Sequence, residues 1–104
     1  MLIAKKDYDI GDVIGLKLVN GDEIVAKLAE ITDEHYVLER PCCVVGGAKG
    51  IGLIQAMFSL DPEKSIKVQT GHVMMSCLAI QQMRDHYIQV TTGIQLTPAG
   101  AGSI

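Results

Sequence analysis

The chemistry-bearing residues of this chain are a glycine run, three cysteines and three histidines. Gly46 to Gly52 reads GGAKGIG, a spacing that lets a backbone approach a pyrophosphate closely. Such a loop needs a parallel strand before it and a helix opening after it, so that the helix N-terminus meets the phosphates. Neither is expected here. The run follows the third strand of an antiparallel meander, and Leu53 to Leu60 leads directly into Asp61 and Pro62. The ending of a P-loop, a Lys followed by Ser or Thr, is absent.

The run resembles the nucleotide loop of short-chain dehydrogenases, but no Tyr-x-x-x-Lys follows, and 52 residues after Gly52 are too few for a doubly wound sheet. It therefore reads as a flexible hairpin connection, and no cofactor is expected. His35, His72 and His86 lie far apart with no His or Cys at short spacing. Cys42 and Cys43 are adjacent, so on a strand they point to opposite faces. A zinc site is not expected, and the three cysteines read as buried free thiols. No Ser or Cys sits on a nucleophile elbow. Asp22-Glu23 and Asp33-Glu34 fall in turns, where solvated charge is the ordinary role. An enzyme is not expected.

The elements that must position these residues follow from composition and pattern. A chain of 104 residues and 11.2 kDa fits one domain. Its 48% hydrophobic and 20% charged content is that of a globular protein, and without Trp its core must be aliphatic. No apolar run approaches the roughly 20 residues that span a bilayer. Lys5 and Lys6 follow a short apolar patch, the reverse of a signal peptide, so a cytoplasmic location is expected. The net charge is −3, with nine acids and five bases in residues 1–40. No basic stripe marks a general polyanion binder.

Alternation starts at Val13, and Asn20-Gly21 predicts a type I′ hairpin with φ > 0 at both residues. A long second strand runs to Ile31, with Ala26 and Ala29 leaving room for it to bend. Thr32 to Glu34 is a turn. A third strand covers His35 to Val45, broken or placed at an edge by Pro41. The fourth is expected at Leu53 to Leu60. The fifth runs from Ile66 to about Met75, with Gly71 marking a bend or bulge. Ala79, Met83, Tyr87 and Val90 then form a helical stripe, widened by Ile80 and Ile88 and stopped at Gly93. The expected fold is mainly β: a small, bent, five-stranded antiparallel barrel with a C-terminal helix over residues 1–93, and a flexible tail over 94–104.

Leu18, Gly21, Ile24, Ala26, Leu28 and Ile31, followed by Asp33, Tyr36 and Leu38, resemble the first motif of the Sm and Sm-like (Hfq-like) small-barrel family. Val68 to Val73, centred on Gly71, resembles its second motif. The likeness covers about 60 residues of this chain. Ala26 stands where the family has Gly, Thr70 where it has Arg or Lys, and Tyr36 or Val37 where it often has a base-reading Asn. The C-terminal helix looks like that of Sm-like proteins of marine cyanophages, which would place the protein in a host cell's cytoplasm.

The resemblance implies a closed homo-oligomeric ring of about five to eight subunits, joined by the edges of strands four and five. It also implies non-catalytic binding of single-stranded RNA, or of DNA, in nucleic-acid processing. His35 and Tyr36 would then stack on bases, held by Gln69, Thr70, Gly71 and His72, while Lys67 meets phosphate. A phage protein-interaction or assembly module built on the same barrel is the alternative.

Overall fold

The computed structural model describes residues 7–92. Six strands precede one helix: β1 (Val13–Leu18), β2 (Glu23–Ile31), β3 (His35–Gly47), β4 (Gly50–Gln55), β5 (Ser65–Gln69), β6 (Val73–Leu78) and α1 (Gln81–Thr92). All pair antiparallel in one sheet of order β4-β3-β2-β1-β6. The long strand β3 divides its outer edge, with residues 35–39 holding β5 and 42–47 holding β4. The expected tail, and Gly93 as helix stop, lie outside the described residues.

The expected fifth strand is two strands. Thr70 to His72 form a single 3₁₀ turn between β5 and β6, with Gly71 at its centre. That turn carries the chain from the β3 side of the sheet to the β1 side. Among the described residues no ladder joins β5 to β6, so the sheet is bent but not closed into a barrel. Its concave face is one core, formed by Tyr8, Ile14, Leu16, Ile24, Leu28 and Leu38, with Ile66, Val68 and Val73 packed against it. β1, β2, β3, β5 and β6 all contribute.

Two irregularities produce the bend. The register between β2 and β3 shifts between Val25 and Lys27, and again between Leu28 and Glu30. These shifts flank Ala26 and Ala29, where the small side chains leave room for the strand to bend. Each inserts an extra residue in one strand, as a β-bulge does. Side-chain parity flips accordingly: Ile24, Ala26 and Leu28 face the inner core, but so does Ile31. On β3 the same happens at Arg40 and Pro41. Tyr36 and Leu38 face inward, whereas Cys42 joins a second core outside the sheet and Cys43 packs inward. Pro41 has no N–H to lose at a bulge, so β3 continues through it.

The second core is Val13, Val25, Cys42 and Leu53 against Ala79 and Tyr87 of the helical segment, with Met83 alongside. Tyr87 also completes the ladder at the bulge. Its hydroxyl accepts a hydrogen bond from Lys27 N–H (3.2 Å) and donates to the Glu39 carbonyl (2.7 Å). The stripe is narrower than expected: Ile80 and Ile88 are exposed, as is much of Val90.

The first hairpin forms at Asn20-Gly21 but not as type I′. Among non-glycine residues described, Arg40 alone has positive φ, so Asn20 does not. Gly21 N–H donates to the Leu18 carbonyl and Leu18 N–H to the Asp22 carbonyl, a three-residue loop with Gly21 (φ 97°) at the bulge position. Replacing Gly21 by Ala places a Cβ on a left-handed backbone and is expected to cost about 1–2 kcal/mol, read as a lower urea midpoint. An unchanged midpoint would show that the loop adopts another turn.

The glycine run is hairpin, as expected, but most of it is strand. Gly46 pairs with Ile51 and Gly47 with Gly50 across a turn of Ala48 and Lys49. β4 consequently begins earlier than expected and ends at Gln55. There the Gln55 amide donates to the carbonyls of Met57 (3.1 Å) and Leu60 (3.2 Å), curling the chain out of the sheet.

Candidate functional site

The 3₁₀ turn brings three loops to one end of the sheet by backbone bonds. Thr70 N–H donates to the Glu34 carbonyl and its hydroxyl to the Asp33 carbonyl, both at 2.9 Å. Val19 N–H donates to the His72 carbonyl at 2.9 Å. The β2–β3 turn and the segment Gln69 to His72, expected from sequence to meet, therefore do meet, and the first hairpin joins them.

The register sorts the candidate residues by face. His35 lies directly opposite Gln69, and Val37 opposite Lys67. Directly opposed residues share a face, and so do residues two apart. His35, Lys67 and Gln69 thus occupy the outward face of the β3–β5 pair, since Tyr36, Ile66 and Val68 between them point inward. Lys67 and Gln69 are exposed and His35 half-buried. Thr70 is half-buried, and Gly71 and His72 are exposed on the turn.

Tyr36 is placed differently from the expectation of a stacking platform. It is 7% exposed and belongs to the inner core. Its hydroxyl shares a hydrogen bond of 3.4 Å with that of Tyr8, which shares one of 2.8 Å with the Ser76 hydroxyl. The alternation of β3 turns the ring inward, so its role is packing and only His35 of the pair has an outward ring. Burial outweighs the Ser76 hydrogen bond at Tyr8 and pushes its phenol up to about 12.

Charge around the site is mixed. Asp33 and Glu34 are exposed in the turn before His35 and Asp22 in the first hairpin, with Lys67 farther along β5. Among the described residues no group of three or more His, Cys, Asp or Glu side chains is placed to hold a metal ion. No described helix is long and apolar enough to cross a membrane. The cysteines are free, but they are not uniformly buried: Cys42 is buried, Cys43 half-buried and Cys77 exposed on β6. Among the described residues, the strand that carries Cys77 pairs with β1 only. Burial pushes the Cys42 thiol up to about 11.

Sequence reasoning missed two surfaces. Phe58 is 95% exposed, next to the exposed Met57, in the segment expected to be strand. β6 forms one end of the sheet and carries no charge, with Met74, Met75 and Leu78 exposed. The uncharged run from Val73 to Leu78 does not reveal an edge as long as β5 and β6 read as one strand. No protein-family model and no curated protein matches this chain.

Proposed function

We propose that this chain is a non-catalytic module of Sm-like barrel type that binds single-stranded nucleic acid, RNA foremost, as a homo-oligomeric ring of about five to eight subunits. The observation that carries the reading is the outward His35–Gln69 pair beside Lys67 and next to the Thr70–His72 turn. It combines a ring for stacking, an amide for hydrogen bonding to a base edge and a cation for phosphate. Stacking on an aromatic side chain contributes about 1–3 kcal/mol per base, so a repeated site can bind without a large positive net charge. Self-association is supported by β6, an uncharged strand that pairs on one side only among the described residues, so that its other side invites another strand.

Light scattering together with titration of labelled polyuridine and polyadenine at low salt tests both parts. At least five subunits and saturable binding are expected. His35→Ala should weaken binding by about 1–3 kcal/mol with the assembly intact. Lys67→Ala should weaken it evenly across base sequences and reduce the salt slope by about one. A monomer, or an assembled protein that binds neither strand, would sink the proposal. The second outcome favours an assembly module for protein partners, a reading supported by the acids at the site and by Phe58.

A further inference from the structure

The base of the β3–β4 hairpin, the segment leading to β5 and the end of α1 enclose a half-open cavity of about 190 Å³. Arg40, Pro41 and Cys42 all line it. In a regular strand three consecutive residues cannot share one side, because successive side chains alternate. The bulge opposite Ala26 removes that restriction, and re-aiming a side chain is a known use of bulges. Arg40 sits there with φ 48°, where Gly would avoid the Cβ penalty. The chain thus carries a guanidinium at a position its backbone alone would give to glycine.

Most other polar groups of the lining are bonded within the chain. The Gln55 amide N–H donates to the Met57 and Leu60 carbonyls, and the Thr91 hydroxyl to the Tyr87 carbonyl. The Cys42 thiol, neutral because burial raises its pKa, donates to the Arg40 carbonyl. Pro41, Leu60, Pro62 and Val90 supply apolar wall. Besides the Gln55 side-chain oxygen, what remains is one cation, the exposed Arg40, at an apolar recess. We infer that this cavity binds a small monocarboxylate with a compact apolar body, its carboxylate paired with the Arg40 fork and its body against Leu60 and Val90. A planar guanidinium matches a carboxylate in two parallel hydrogen bonds. One guanidinium balances the charge of a monocarboxylate, whereas a phosphate dianion would leave one negative charge uncompensated against the apolar wall.

The test uses phenylacetate and its neutral amide, phenylacetamide, as probes in amide-resolved NMR titrations. Phenylacetate should shift the Leu60 and Val90 amides and bind at least tenfold more tightly than phenylacetamide. Arg40→Asn removes the charge but keeps a residue that tolerates a left-handed backbone, and it should abolish the preference while leaving the spectrum dispersed. Equal binding of acid and amide by the unmodified protein would overturn the assignment, as would shifts that avoid the cavity or do not saturate. The acid–amide comparison decides the matter even if the Asn variant fails to fold. Polyuridine binding uses none of the cavity residues, so its success or failure is independent of this result.

Discussion

Tyr87→Phe is expected to destabilise the protein by about 1–3 kcal/mol, although it removes a single oxygen atom. The hydroxyl bonds both the Lys27 N–H and the Glu39 carbonyl, residues that lie opposite each other beside the β2–β3 bulge. Without it, two part-buried backbone groups beneath the helix lose this partner, and a polar group left unsatisfied away from water costs more than an average hydrogen bond gains. Tyr87→Ala removes the ring as well and should cost about 3–5 kcal/mol, in the range of other large aromatic truncations. Urea unfolding of both variants separates the two contributions. A Phe variant as stable as the original would mean that water replaces the hydroxyl at the bulge.

Alkaline pH is expected to erode stability progressively from about 9 to about 12. Three protonated groups are chiefly responsible, and Cys43, whose thiol burial also raises, adds to them in the same direction. Burial raises the Cys42 thiol from 9.0 to about 11, and it raises the phenols of Tyr8 and Tyr87 from 10.0 to about 12. Between its unfolded and folded pKa, each group has lost its proton in the unfolded chain but retains it in the folded one. Stability therefore falls as pH rises. Their contribution is fully present below about 9, and it is lost as pH climbs through the folded values. Urea midpoints measured from about pH 7 to 11 check this, with Cys42→Ala and Tyr8→Phe each flattening the upper part of the curve. A midpoint constant to about pH 11 would contradict the burial of all three groups.

Local patterns were sufficient for much of this architecture. Asn20-Gly21 located the first hairpin, and the alternation before and after it placed β1 and β2. Ala26 and Ala29 marked the bends, because a strand can deform most easily where side chains are small. The spacing of Ala79, Met83 and Tyr87 located α1 and the face it buries. The rest depends on contacts distant in sequence. Gly71 signalled a bend, but only pairing with both β3 and β1 splits that segment into two strands on opposite sides of the sheet. Tyr36 and His35 are adjacent, and nothing local says which points inward. Pro41 within a strand permits either an edge or a bulge. The choice of a bulge, and with it the position of Arg40, follows from the helix and β4 closing over that point.

The pairing of β1 with β6 also constrains how the chain is made. Ile14 meets Leu78, and Leu18 meets Val73. A ribosome adds roughly 5–20 residues per second, so β1 emerges several seconds before its last partner exists. During that interval the β1–β2 hairpin can form, but the concave core lacks β6 and remains open to water. The nascent chain consequently presents the apolar side chains of Ile14 and Leu16, later fully enclosed, to whatever surrounds it. Pausing translation before Leu78 should leave a species that a holdase chaperone retains, and completion and release of the chain should let it go.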